Sequence, residues 1–191
     1  MPNTKTGERK LQILQMLATM LEQPKGEKIT TAALAARLEV SEAALYRHFA
    51  SKAQMFEGLI EFIESTVFGL INTIAEQEER GLSQVQQIVV MLLNFAERNP
   101  GMTRVMIGDA LVNEDDRLQA RMNQFIERVE LALRQSLRLA ATQAQATEDD
   151  AAVRANLIVS AVLGHWQRYA KTGFSQKPSQ NVAPQIAILL S

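Results

Sequence analysis

Cysteine is absent from this 191-residue chain. That excludes disulfides, cysteine-based zinc sites and cysteine nucleophiles. Glycine and proline are sparse, at nine and five residues, while Ala, Leu, Gln and Glu abound, a bias towards helix. No run approaches the roughly 18 uninterrupted apolar residues of a membrane span. Residues 1–10 are polar and lack the apolar core of a secretory signal. These absences set the expectation of a cytoplasmic protein with no membrane span.

Histidine is nearly absent too. His48 and His165 lie far apart without metal-ligand spacing, and no glycine-rich loop is present to cradle phosphates. Glu114-Asp115-Asp116 reads as an acidic helix start, which the macrodipole favours, rather than a metal site. The sequence therefore offers no catalytic residues, no metal and no cofactor, and points to a binding protein rather than an enzyme.

What is present is charge asymmetry and helical periodicity. Residues 1–52 carry eight Lys/Arg against five Glu, a net +3, and the remainder carries twelve Lys/Arg against sixteen Asp/Glu, a net −4. A mildly basic head thus precedes an acidic body. Hydrophobic residues make up 47% of the chain, enough for a sizeable core.

Apolar residues recur at helical spacing almost throughout. The first helix is expected over residues 8–21, with Leu11, Leu14, Leu17, Ala18 and Leu21 inward and Pro24 and Gly26 ending it. Thr30 or Thr31 caps a short helix over 32–38. Glu39-Val40 makes a tight connection, and Ser41 caps a third helix over 42–49. Ser51 to Gln54 has capping-box spacing and opens a long fourth helix, and Ser83 to Gln86 repeats the signature for a fifth. Asn99-Pro100-Gly101 breaks that helix. Further helices are expected over 102–111, 114–140, 147–171 and 182–190; residues 143–150 form a linker, within which Thr147 with Glu148, Asp149 and Asp150 starts the helix that follows. The fold class is all-α.

Two short helices joined by a tight turn make a helix-turn-helix, held by Leu34, Leu38, Val40, Leu45 and Phe49. With those inward, Ser41, Glu42, Ala44, Tyr46, Arg47 and His48 stay near the surface. Small and hydroxyl side chains at the start of the third helix let it approach a groove closely. Tyr46, His48, Lys52, Thr30 and Thr31 have the chemistry to hydrogen-bond phosphate oxygens, and Lys and Arg add salt-dependent affinity. A helical hairpin that merely packs would show the same pattern.

The segment ITTAALAARLEVSEAALYRHF at 29–49, continued by Ser51-Lys52 and Met55-Phe56, resembles the DNA-binding domain of TetR-type regulators. Glu39 stands where that family often has Gly, and Ala50 where it often has Pro. The resemblance implies a head over residues 1–51, with a three-helix DNA-binding fold, and a helical dimerisation and regulatory body over 52–191. Residues 59–64, 97–104 and 116–128 further resemble the nucleoid occlusion branch of the family. That branch implies a homodimer on palindromic sites in double-stranded DNA, nucleoid-associated, that engages the C-terminal tail of the division protein FtsZ. The implied tail groove lies beside the fourth and fifth helices, at Phe62, Leu70, Met91, Asn94, Arg98 and Asn99. Phe62, Arg98 and Asn99 match the branch; Leu70, Met91 and Asn94 depart from it.

The helices at about 114–140 and 148–171 are expected to form a four-helix seam with a second copy, with Ala155, Ala161 and Gly164 permitting close approach. Dimeric readers need recognition helices about 34–36 Å apart, or a multiple of that. A ligand-responsive repressor on the same fold and a plain helical bundle remain alternatives at this stage.

Overall fold

The computed structural model describes residues 4–23, 29–144 and 150–190. Among them are nine α-helices, one 3-10 turn and no strand. The head comprises α1 (Thr4–Leu21), α2 (Thr31–Arg37) and α3 (Glu42–Tyr46). The expected terminators Pro24 and Gly26 lie outside the described residues. The inward stripe of α1 is Ile13, Leu17, Ala18 and Leu21, while Leu11 is 46% exposed. Leu11 was expected inside. The contact that sets the rotation of α1 is a backbone approach to Gly101, where a Cβ would lie 2.0 Å from the Ala18 carbonyl oxygen.

Thr30 is the cap of α2, its hydroxyl accepting the Ala33 N–H at 3.1 Å. Glu39 turns the chain with φ 55. That left-handed conformation costs a non-glycine residue roughly 1 kcal/mol. Two bonds offset it, from Glu39 N–H to the Ala36 carbonyl at 3.2 Å and from Val40 N–H to the Ala35 carbonyl at 3.0 Å. Leu34, Leu45 and Phe49 are buried beneath the turn, and Leu38 and Val40 pack against them. The helix α3 stops three residues short of the expected Phe49, because the His48 and Phe49 N–H groups both turn back to the Leu45 carbonyl.

The body comprises α4 (Lys52–Gln77), α5 (Gly81–Arg98), α6 (Pro100–Met106), a 3-10 turn (Asp109–Leu111), α7 (Asp116–Thr142), α8 (Ala151–Lys171) and α9 (Val182–Leu190). The first capping box forms: Ser51 accepts the Gln54 N–H at 3.2 Å, and the Gln54 side chain accepts the Ala50 N–H at 2.8 Å. The second does not. Here α5 begins at Gly81, two residues before Ser83. A Cβ at Gly81 would meet the Ala140 nitrogen at 2.2 Å, so glycine lets α5 start directly against α7. Gln84 is consequently buried, donating to the Glu78 carbonyl at 2.7 Å and accepting from the Ser136 hydroxyl at 2.8 Å.

The helix expected over 102–111 is divided. Pro100 opens α6, at a position where its missing N–H costs nothing, and Gly108 with φ 78 separates α6 from the 3-10 turn. Asp115 caps α7 through the Arg117 N–H at 3.1 Å. Of the expected start of α8 at Thr147, Glu148, Asp149 and Asp150, Asp150 is among the described residues and sits at the N-cap; the other three lie outside them. Trp166 of α8 is buried and donates to the Leu92 carbonyl at 3.3 Å. Among the described helices only α4 has the length and apolarity to cross a bilayer. Its stripe of Met55, Phe56, Leu59, Ile60, Ile63 and Val67 is instead buried in the core.

Candidate nucleic-acid interface and partner groove

The proposed DNA face is built from side chains that hold the head together. Thr30 and Ser41 each accept an N–H of the helix they precede, at 3.1 and 3.3 Å, so they fix where α2 and α3 begin. Between the two caps, Thr31 donates to Glu42 at 2.6 Å and Tyr46 donates to Thr31 at 3.4 Å. This chain of hydroxyls locks the start of α2 to α3. Tyr46 is still 45% exposed, and Ser41, Glu42 and Arg47 are also exposed. Ala44 and His48 are half-buried, and His48 Nδ1 is buried without a partner.

Lys52 is differently placed. Its ammonium pairs with Glu114 and lies 5.7 Å from the centre of the Phe56 ring. It thereby ties the first turn of α4 to the connector before α7. Arg104 makes a second tie, with its guanidinium 2.7 Å from Asp109 and donating to the Leu21 and Gln23 carbonyls at 3.2 and 3.3 Å. Lys171 reaches the same Asp109 at 2.6 Å. Burial pushes the Asp109 carboxyl up, but the hydrogen bonds from Lys171 and Arg104 outweigh it and hold the group below its ordinary value. Neither tie has a local signature in the sequence. Lys52 and Glu114 are 62 positions apart, and Arg104 is 83 from Leu21.

The second candidate surface lies between α4 and α5. Their three-residue connection makes them antiparallel neighbours. Phe62, Thr66 and Leu70 recur at i, i+4 and i+8 on α4; Met91, Asn94 and Arg98 form a matching stripe on α5. Counting outward from the turn places Leu70 level with Ile88, three residues before Met91, and Phe62 level with Ala96, two residues before Arg98. The other flank of α4 reaches α7, where the Phe68 ring sits edgewise on Phe125 with centres 5.5 Å apart. Phe62 is 40% and Leu70 41% exposed on a helix whose other apolar positions are largely buried. Arg98 is exposed and makes no ion pair among the described residues. Asn99 is engaged locally, donating to the Phe95 carbonyl at 2.7 Å.

On the α7–α8 face, Gly164 is exposed, and a Cβ there would meet nothing within 4 Å. Ala161 is half-buried, but Ala155 is fully buried inside the protomer and belongs to its own core. Glu114, Asp115 and Asp116 are engaged structurally at the start of α7: Glu114 with Lys52, Asp115 as the cap, and Asp116 in the first turn.

Residues 26–59 match the tetR family of bacterial regulatory proteins, and residues 79–191 match a tetracyclin repressor-like C-terminal domain of the SlmA-like type. The chain is 47% identical over 188 residues to the nucleoid occlusion factor SlmA of Alteromonas mediterranea, covering 98% of this chain and 96% of the relative. With SlmA of Idiomarina loihiensis the identity is 49% over 182 residues, covering 95% and 93%. Among solved structures, the fatty acid degradation regulator FadR of Bacillus halodurans superimposes with a TM-score of 0.79 at 13% identity, over 94% of this chain and 97% of that one. The TetR-family regulator PfmR of Thermus thermophilus gives 0.77 at 18%, over 93% and 96%. The helix-turn-helix head, the helical body behind it and this near full-length identity place the chain in the SlmA family of nucleoid occlusion factors, built on the TetR-type fold.

Proposed function

We propose that a homodimer of this chain binds palindromic chromosomal DNA through residues 1–51, takes the C-terminal tail of FtsZ into the α4–α5 groove of residues 52–191, and so blocks division-ring assembly over the nucleoid. The protein then works in the cytoplasm, associated with the nucleoid. In the head, Tyr46, Arg47, His48 and Thr31 meet the DNA backbone, Ser41, Glu42 and Ala44 bring α3 close to the groove, and Thr30 positions α2. Lys52 contributes by leaving Glu114 for a phosphate. In the body, Phe62, Leu70 and Met91 meet apolar tail side chains, Arg98 pairs with a tail carboxylate, and Asn94 and Asn99 line the groove. The second copy docks on the α7–α8 face at Ala161 and Gly164.

The observation that carries the partner reading is the exposure of Phe62 and Leu70, at 40 and 41%, beside an Arg98 that makes no ion pair among the described residues. Apolar surface left in water this way marks a docking site when it adjoins directed charge. A ligand-responsive repressor is less well supported. It needs an apolar cavity inside the body, and the roughly 510 Å³ cleft lined by Met122, Ile126, Leu163 and Gly164 opens between α7 and α8, on the proposed dimer seam.

The test is a titration of FtsZ tail peptide against the protein–DNA complex, read by fluorescence anisotropy. Saturable binding is expected, weakened at least about tenfold by Phe62→Ala and by Arg98→Ala, since charge-assisted bonds and buried rings are each worth more than 1 kcal/mol. Absence of binding to the unmodified complex overturns the partner. Unchanged binding by both variants overturns the groove.

A further inference from the structure

A third surface has a chemical bias that neither the DNA face nor the tail groove explains. It is a cleft of about 270 Å³ where the second half of α8 meets the 172–181 segment and the first turn of α9. Its basic side chains are Arg168 and Lys177, joined by the imidazole of His165, and its amides are Gln176, Gln180, Asn181 and Gln185. No carboxylate lines it.

The acid at its rim is already engaged. Glu97 accepts the Ser179 hydroxyl at 2.5 Å and lies 3.2 Å from the Lys177 ammonium. The Ser179 bond, aided by Lys177 and opposed by burial, holds the Glu97 carboxyl below its ordinary value. Arg168 and His165, by contrast, make no side-chain hydrogen bond or ion pair among the described residues.

The wall that carries the amides is ordered by its own bonds. Phe174 adopts φ 65, returns its N–H to the Tyr169 carbonyl at 2.9 Å and sets its ring edgewise on Tyr169 at 5.1 Å. The Gln176 N–H reaches the Thr172 hydroxyl at 3.3 Å, and the Gln180 N–H reaches the Lys177 carbonyl at 3.2 Å. The donors are therefore displayed on fixed backbone, which lowers the entropy lost on binding.

A free guanidinium, an imidazole and several amides around an acid-free cleft suit a tetrahedral oxyanion. The planar fork of arginine matches phosphate in bidentate fashion, and side-chain amides add neutral donors on the remaining sides. Helix-dipole compensation explains a basic residue in the last turn of α8. It explains neither His165 nor the four amides nor the absence of acid.

We propose that this cleft binds a phosphate group, carried by inorganic phosphate or by a small soluble phosphate ester, as a site separate from the DNA face and the tail groove and at the C-terminal end of the α8 stripe whose Ala161 and Gly164 are proposed to meet the second copy. Full-length protein without DNA, in chloride buffer, is titrated with inorganic phosphate and in parallel with glycerol 3-phosphate. Calorimetry reads affinity, and the side-chain amide signals in nitrogen–proton spectra read location. Saturable binding with a dissociation constant on the order of 1 mM is expected, with shifts confined to the amides of the cleft. Arg168→Gln weakens it about tenfold, as loss of a charge-assisted bond implies, and His165→Gln weakens it severalfold, while helicity and DNA binding stay as in the wild type. Tighter glycerol 3-phosphate supports the site and assigns it to esters; equal or weaker affinity supports it and assigns it to the free ion. No saturation by about 20 mM of either ligand, equal spectral shifts on adding chloride alone, or wild-type affinity in Arg168→Gln overturns the proposal.

Discussion

In the head, Thr30 and Ser41 each accept a backbone N–H, and Tyr46, Thr31 and Glu42 bond one another in series. In the α4–α5 groove, Phe62 and Leu70 stand about two-fifths exposed and Arg98 makes no ion pair among the described residues. Polar groups on the proposed DNA face thus shape short helices that would be marginal alone, and in the proposed reading the same hydroxyls would also have to meet phosphate. The groove needs no such help, because α4 and α5 are long helices anchored by their buried faces. A substitution in the head therefore risks structure and binding together, whereas one in the groove touches binding alone.

The joint between head and body is the sharpest place to test this contrast. A Cβ at Gly101 would lie 2.0 Å from the Ala18 carbonyl oxygen, and that atom is backbone on a helix. Gly101→Ala must separate α1 from α6 or distort one of them. Overpacking of this kind costs about 3 kcal/mol, and we expect a lowered melting temperature by calorimetry together with lost DNA binding. Wild-type stability in this variant would show that α1 shifts freely and that the joint is soft.

Within the head, Tyr46→Ala removes an exposed hydroxyl whose internal bond, at 3.4 Å, is long. DNA affinity should fall about tenfold, the worth of a hydrogen bond to a charged oxygen, with α2 and α3 still capped by Thr30 and Ser41. Unchanged affinity in a gel-shift titration would remove Tyr46 from the interface. The groove counterpart, Phe62→Ala, should change the unfolding free energy from urea titration by less than about 0.5 kcal/mol, as surface substitutions do. A loss several times larger would mean that Phe62 belongs to the core and that the groove is closed.

The head was legible in the sequence because its determinants are local. Thr30, Ser41 and the Ser51–Gln54 pair act within three residues, and Glu39 sits at the only tight turn between two short apolar clusters. The end of the chain was legible for the same reason: Val182–Leu190 forms as its periodicity predicts. Legibility failed where a distant backbone decides the outcome. Ser83 has capping-box spacing, but Gly81 meets α7 and starts the helix two residues earlier. Leu11 and Ile13 both fit an apolar stripe on α1, and the approach of Ala18 to Gly101 selects the stripe with Ile13. Among the site residues, the exposure of Phe62 and Leu70 came only with the fold, since both sit in an apolar pattern that reads as core. The Lys52–Glu114 pair and the reach of Arg104 to Leu21 left no local trace.

The smallest expected effect concerns those ties, and it separates head from groove by pH. Asp109 receives Lys171 at 2.6 Å and Arg104 at 2.7 Å, and its carboxyl titrates below its unfolded value of 3.8. A depressed folded value means that the contribution is complete above pH 3.8 and is lost as pH falls through the folded value. Protonating Asp109 leaves Arg104 without its anion at the carbonyls of Leu21 and Gln23, so acid should loosen the head–body joint before it disturbs α4 and α5. Asp109→Asn should lower stability modestly at about pH 6, and the gap to the wild type should shrink at about pH 3, as linkage requires. Urea midpoints of the two proteins at both pH values measure the gap. If it stays constant across the range, Asp109 acts through hydrogen bonding alone and its charge does not hold the joint.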